Sequence, residues 1–282
     1  MRIKNYKATF QKELASLYDE KEVESFFYMI FEQFHNKRRI DLALHPEMEM
    51  TEADLIRWEN VVSELKKQKP IQYILGETEF FGLRFLVNEN VLIPRPETEE
   101  LVELIISNNA TTKQPLKILD IGTGSGCIAI SLAKAFPNST VFAIDVSEQA
   151  LVIAKKNADI NEADVTFLLQ DILQTNDLEQ QLDVIVSNPP YVRILEKAEI
   201  KPNVLDYEPH LALFVSDNDA LLFYRKIAEL AKRNLVENGH LYFEINQYLG
   251  KETVALLENL GFRTIQLKQD VYGNDRMIAC IR

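Results

Sequence analysis

Residues 116–121, LKILDI, form an almost unbroken apolar run, followed at once by GTGSG and then by CIAISLAKAF, whose apolar residues recur at helical spacing. A strand that is apolar on both sides must be covered on both faces, and a parallel sheet with helices above and below provides that. The same succession recurs. TVFAID (140–145) precedes SEQALVIAKKNADI, in which Ser147 suits a helix N-cap, and VTFLLQD (165–171) and LDVIVSN (182–188) are two more strands. NDALLFYRKIAELAKRNL reads as an amphipathic helix, HLYFEI (240–245) as a strand, KETVALLENLGF as a helix ending at Gly261, and TIQLKQ and RMIACI as closing strands. Strands alternating with helices in this way predict a doubly wound α/β, Rossmann-like sheet with mostly right-handed crossovers.

The chain before this sheet has another character. Residues 1–69 read as helical throughout, with Leu14, Leu17 and Tyr18, then Val23, Phe26, Phe27, Ile30, Phe31 and Phe34 at three- and four-residue steps. Thr51 suits an N-cap, and Leu55, Trp58, Val61, Val62 and Leu65 give the following helix its apolar stripe. From Pro70, IQYILGETEFFGLRFLVNENVLIP alternates apolar and polar residues around Gly76 and Gly82, which predicts a β-hairpin or short meander. RPETEELVELII then restarts a helix, with Pro96 in its first turn and Glu97, Glu99 and Glu100 where the helix dipole favours acids. The expected domains are therefore a helical one at 1–69, a β-hairpin linker at 70–93, and the α/β domain at 94–282.

Charge and cysteine usage narrow the function classes. A formal net charge of −12 disfavours nonspecific nucleic-acid binding, which needs a positive face, and KRR (37–39) and KKQK (66–69) are the only basic runs. The N-terminus lacks an apolar signal region, and no apolar run approaches the roughly 18 residues that a membrane span needs. A cytoplasmic protein is expected. Cys127 and Cys280 form no CxxC, and the four histidines are scattered, so neither a disulfide framework nor a metal site is expected.

The turn DIGTGSG, residues 120–126, lies where the first parallel strand feeds the first helix, the place where such sheets bind nucleotides. Gly122, Gly124 and Gly126, with Thr123 and Ser125 between them, let the backbone approach a ligand closely. The spacing is GxGxG, not the GxGxxG of dinucleotide enzymes, so a pyrophosphate is not the expected tenant. A plain tight turn would carry the same glycines. Asp145 ends the second strand nineteen residues after Gly126, where a carboxylate can accept from both hydroxyls of a ribose. Asp171 is placed to accept from an adenine amino group, with Ile172 over the ring, or else to cap the next segment. Cys127, at a helix N-terminus, is either an acidified thiol or a small buried packing residue.

The fourth strand ends in SNPPYV, residues 187–192. Asn188 offers a side-chain oxygen, and the carbonyl of Pro189 offers a second acceptor. The prolines have no N–H and fix the local backbone, so the corner is stiff and poor in donors. Two acceptors converging on one point suit a planar NH2 group, on whose flat face Tyr191 could stack. Holding both hydrogens turns the nitrogen lone pair toward an electrophile opposite. The plainer alternative is that the prolines simply end the strand. An adenosyl ligand beside a clamped NH2 describes methyl transfer from S-adenosylmethionine to a planar nitrogen.

Four segments, P-x-QYILGETEFFGLRF from Pro70, VLIPRPETEELVE from Val91, LDIGTGSGCIAI from Leu119 and VSNPPYV from Val186, together resemble the peptide chain release factor N5-glutamine methyltransferases, the PrmC/HemK family. NPPY and GxGxG occur in other amino methyltransferases, and the combination with LIPRPETE is far more specific. The resemblance implies a class I S-adenosylmethionine-dependent methyltransferase sheet at 94–282 and a substrate-recognition role for 1–69. It implies methylation of the glutamine amide in the GGQ motif of class I release factors, leaving S-adenosylhomocysteine. By motif position, Gly122, Thr123, Gly124, Ser125 and Gly126 would line the methionine end of the cofactor, and Asp145 its ribose. Asp171 and Ile172 would meet the adenine, and Asn188, Pro189, Pro190 and Tyr191 the substrate glutamine, with Asn188 also beside the cofactor. Family members often carry an aromatic where this chain has Ile172, so apolar contact replaces stacking there. Arg95 and Glu97 would either close over the cofactor or only start a helix. A monomer free of nucleic acid and membrane is expected. The rival readings are an adenine-N6 methyltransferase acting on DNA or RNA, which would need a basic channel, and a noncatalytic binding module.

Overall fold

A computed structural model describes all 282 residues. The chain divides into two compact units, one of residues 1–76 with 201–207 and one of residues 77–200 with 208–282. No helix is long and apolar enough to cross a membrane.

The first unit is built from helices α1 (Ile3–Leu14), α2 (Glu20–His35), α3 (Arg39–Leu44), α4 (Glu52–Lys66) and α5 (Ile71–Leu75). Their buried residues follow the three-four rhythm, as in Ile3, Tyr6, Phe10 and Leu14 of α1. Trp58 of α4 is fully buried, with ring centroids 5.6 Å from Tyr6, 5.8 Å from Phe10 and 5.0 Å from Phe27. Thr51 is the expected cap: its side chain accepts from the Asp54 N–H, and Asp54 accepts from the Thr51 N–H in return.

The hairpin expected at 70–93 is shorter. IQYIL is the helix α5, because Pro70 presets its entry and Gly76, left-handed at φ 80°, closes it with a hydrogen bond to the Gln72 carbonyl. A five-residue segment carries too few positions for its apolar period to separate helix from strand. The hairpin itself is β1 (Glu77–Phe80) and β2 (Leu83–Leu86), antiparallel, with Phe80 opposite Leu83. Phe81 and Gly82 between them both have positive φ, 51° and 71°, the backbone of a tight two-residue turn. Phe80 and Phe85 enter the core beside Leu101 and Ile105 of α6 (Pro96–Asn109).

The second unit follows the expected alternation: β3 (Lys117–Ile121), α7 (Cys127–Ala135), β4 (Thr140–Asp145), α8 (Glu148–Ile160), β5 (Val165–Leu169) and β6 (Leu182–Ser187). An insert not read in the sequence comes next, with β7 (Val192–Arg193), α9 (Pro202–Leu205, within the first unit), α10 (His210–Leu213) and β8 (Phe214–Val215). The chain ends with α11 (Leu222–Asn234), β9 (Leu235–Glu244), α12 (Gly250–Asn259), β10 (Arg263–Gln269) and β11 (Asp275–Ile281).

Seven strands make one sheet in the order β10-β11-β9-β6-β3-β4-β5, with β5, β4, β3, β6 and β9 parallel and β11 antiparallel to both neighbours. Alternate residues feed two cores, Ile118, Val184 and Val186 on one face and Leu119, Ile121 and Ile185 on the other. The chain runs outward from β3 through β4 to β5, then returns to place β6 on the other side of β3. Such a reversal leaves a crevice beyond the C-terminal ends of the two central strands. Register puts Ile121, the last residue of β3, opposite Ser187, the last of β6, so the glycine turn and the NPPY corner begin side by side.

Candidate active site

The crevice is a cavity of about 250 Å³. Of the residues expected there, Gly122, Gly124, Asp145, Asp171, Ile172, Asn188, Pro189 and Pro190 line it. Thr123, Ser125, Gly126 and Tyr191 lie behind the lining: Thr123 donates to the buried Asp120 carboxylate (2.6 Å), and the Ser125 carbonyl accepts from Asn157 Nδ2 (2.9 Å).

The glycines divide into two roles. Gly122 and Gly124 have φ of 73° and 55°, and a Cβ added to either would meet nothing within 4 Å, so they leave open space at the cavity wall. At Gly126, with φ 84°, a Cβ would lie 3.0 Å from Ile130 Cδ1 and 3.2 Å from Ala154 Cβ. Gly126 therefore serves the approach of α7 to α8. Gly126→Ala should destabilise the protein by roughly 2–4 kcal/mol, combining left-handed strain with overpacking. Denaturant unfolding checks this, and an unchanged midpoint would contradict it.

Asp145 holds the turn and faces the cavity. Its Oδ2 accepts from the Gly124 N–H at 2.8 Å and its Oδ1 from the Ser147 N–H at 2.9 Å. Burial raises its pKa, and these backbone donors oppose the rise. Each oxygen keeps acceptor capacity for a further hydroxyl. Asp171 accepts from the Leu173 N–H at 2.9 Å through Oδ1, a turn that sets both Asp171 and Ile172 on the wall. Cys127 is buried, and burial pushes its thiol up to about 12, so it is a packing residue.

Asn188 is tied from behind. Its Nδ2 donates to Thr98 Oγ1 (3.2 Å), Thr98 donates to Glu244 Oε2 (2.6 Å), and the Tyr191 hydroxyl donates to Glu244 Oε1 (3.0 Å). Burial, reinforced by the Glu244 charge, keeps the Tyr191 phenol protonated. The Tyr191 carbonyl accepts from Asn246 Nδ2 at 2.9 Å.

Arg95 and Glu97 do not line the cavity; Asn90, Val91 and Leu92, just before them, do. Arg95 pairs instead with the buried Glu208, whose Oε2 accepts from the Ile93 N–H at 3.1 Å. That pairing fixes the segment carrying Asn90 to Leu92. Glu244, Thr98 and Asn90 to Leu92 were not singled out in the sequence. Thr98 and Val91 to Leu92 stand inside VLIPRPETE, but Glu244 reads only as the end of a strand. No group of three or more His, Cys, Asp or Glu side chains is arranged to hold a metal ion.

The lining contains two aspartates and no Lys, Arg or His. Its polar side chains are the two carboxylates, the carboxamides of Asn90, Gln170 and Asn188 and the hydroxyls of Ser147 and Ser187, between apolar walls that include Ile172, Leu173, Phe223 and Ile227. Such a set suits a ribose diol, an amino-purine and a positive charge. It does not suit a polyphosphate.

Comparison with known proteins agrees with this chemistry. A family model described as the PrmC N-terminal domain matches residues 8–76, and one described as the methyltransferase small domain matches residues 98–206. A release factor glutamine methyltransferase of Flavobacterium psychrophilum is 67% identical over 280 residues, covering 99% of this chain and 98% of that protein. Its counterpart from Bacteroides thetaiotaomicron is 43% identical over 276 residues, covering 98% of each chain. Among solved structures, a methyltransferase from Pyrococcus furiosus aligns with a TM-score of 0.51 and 21% identity over 72% of this chain and 90% of that one, a likeness of fold alone.

Proposed function

The chain belongs to the release factor glutamine methyltransferase family, and from that membership we propose which of its residues carry the reaction and how. The reaction is methyl transfer from S-adenosylmethionine to the side-chain amide nitrogen of a glutamine in peptide chain release factors. The observation supporting the residue assignment is the register of β3 against β6, which opens the glycine turn and Asn188 onto one cavity.

The cavity fits the cofactor by its chemistry. Gly122 and Gly124 leave backbone room for the methionine end, Asp145 accepts from the ribose hydroxyls, and Asp171 with Ile172 receives the adenine. S-adenosylmethionine supplies an electrophilic methyl group on a positively charged sulfur, and the cationless lining suits that charge. Asn188 Oδ1 and the Pro189 carbonyl accept the two hydrogens of the glutamine NH2 and hold its nitrogen toward the cofactor side. Pro190 stiffens the corner, and Tyr191 braces it through Glu244. An amide nitrogen is a poor nucleophile, so positioning supplies most of the acceleration, on the order of 7–11 kcal/mol in favourable systems. No strong base is required, because the nitrogen acidifies as the new bond forms and its proton leaves past the two acceptors.

The helical unit recognises the substrate, the GGQ loop of class I release factors, and the enzyme works as a cytoplasmic monomer without contacting nucleic acid. The net charge of −12 and the cavity without basic side chains support this over adenine methylation in DNA or RNA. The test offers methyl-labelled S-adenosylmethionine with a release factor, a DNA duplex and an RNA hairpin in parallel. Mass spectrometry should find the label on the GGQ glutamine. Label on nucleic acid with an unmodified release factor would overturn the reading.

A further inference from the structure

A clamp built on Asn188 works only if its oxygen faces the cavity. A carboxamide turned end over end has nearly the same shape, so packing alone does not choose between oxygen and NH2. Behind the site, hydrogen bonds make the choice. Thr98, in the first turn of α6, and Glu244, at the end of β9, are 3% and 1% exposed, shielded from bulk solvent. They stand in line with Asn188: Nδ2 to Thr98 Oγ1 at 3.2 Å, then Thr98 Oγ1 to Glu244 Oε2 at 2.6 Å.

We propose that Glu244, acting through the Thr98 hydroxyl, orients the Asn188 carboxamide, making Glu244 and Thr98 positioning residues for methyl transfer. The proposal rests on the clamp reading of Asn188. An ionised carboxylate can only accept, so the single hydroxyl hydrogen of Thr98 goes to Glu244. The Thr98 oxygen is then left as an acceptor toward Asn188, and only the NH2 end of Asn188 can satisfy it. Oδ1 is thereby turned to the cavity. A donor at position 244 would reverse the line: Thr98 would accept from behind and donate forward, drawing Oδ1 inward and setting the Asn188 NH2 against the substrate NH2.

Two hydroxyl donors converge on Glu244, one to each oxygen, as suits a carboxylate that only accepts. Burial raises the Glu244 pKa, against which act the hydrogen bonds from Thr98 and Tyr191 and the nearby Arg276 guanidinium, while Glu97 repels. Arg276 is itself held by Asp270, Nε to Oδ2 at 3.1 Å. Tyr191 occupies Oε1 at 3.0 Å, leaving Oε2 to Thr98.

The test compares Thr98→Val, which keeps the shape and loses the hydroxyl, with Thr98→Ser, which keeps the hydroxyl, and with Glu244→Gln, which replaces the obligate acceptor by an amide that can also donate. Methyl-transfer kcat on a release factor, S-adenosylmethionine affinity and melting temperature are measured for each. Thr98→Val and Glu244→Gln should lower kcat about tenfold, the effect of roughly one hydrogen bond, with cofactor affinity unchanged. Thr98→Ser should recover most of the rate. In the Asn188→Ala background, Thr98→Val should cost nothing more, because its effect passes through Asn188. Wild-type kcat in Thr98→Val, or a slowing that adds in full to that of Asn188→Ala, would overturn the proposal. If Glu244→Gln does not fold, the Thr98 pair still decides. Failure of the clamp reading shows separately, as normal turnover in Asn188→Ala itself.

Discussion

Asn188→Ala should lower turnover about 10²- to 10³-fold, the scale seen when one preorganised polar contact to a reacting group is removed. Affinity for S-adenosylmethionine should stay close to wild type, because glycine backbone and the carboxylates of Asp145 and Asp171 form the cofactor side of the cavity. The loss belongs in kcat. Without Oδ1, one hydrogen of the substrate NH2 has no acceptor and the nitrogen is free to stay conjugated with its carbonyl. Alanine also leaves the Thr98 hydroxyl without its donor, so the melting temperature should be measured alongside. Pre-steady-state methyl transfer with saturating cofactor is the direct measurement, and turnover near the wild-type rate would remove the clamp.

Asp145→Ala should act on the opposite term. The charge-assisted interaction with the ribose hydroxyls would be lost, and at about 1.5–3 kcal/mol in total the cofactor Kd should rise roughly 10- to 150-fold. The carboxylate also accepts from the Gly124 N–H at 2.8 Å, so its removal loosens the turn that frames the cavity. At saturating cofactor, kcat should fall much less than in Asn188→Ala. Calorimetry reads the affinity directly, and an unchanged Kd would remove Asp145 from the cofactor site.

That these two residues border one cavity was legible in the sequence for a simple reason. Each ends an apolar run that can only be a covered strand, and strand ends at a topological reversal are where ligands lie. Ile118 to Ile121 and Val184 to Val186 declare the central strands by composition alone, and their adjacency follows from the order of crossovers. IQYIL was misread because Ile71, Tyr73 and Leu75 satisfy a period of two as well as one turn of helix, and the deciding cue was the left-handed Gly76. The insert around residues 192–215 offers no period of either kind. Glu244 was missed for a different reason: in HLYFEI it occupies an ordinary strand position, and its place behind Asn188 arises only when β9 lies beside β6 and α6 brings Thr98 over its end. Arg95 was prominent by charge and proved to serve Glu208 and the backbone of Ile93, while its apolar neighbours Val91 and Leu92 reach the cavity.

The two consecutive prolines have an effect on discrimination. Neither has an N–H, so the two residues that follow Asn188 bring carbonyl lone pairs and no backbone donor to the corner. A release factor whose target glutamine had deamidated to glutamate would bring an anion against those lone pairs and should bind poorly. On the clamp reading, refusal of the damaged side chain is expected of the same few atoms proposed to accept the intact one, by repulsion and not by a separate proofreading surface.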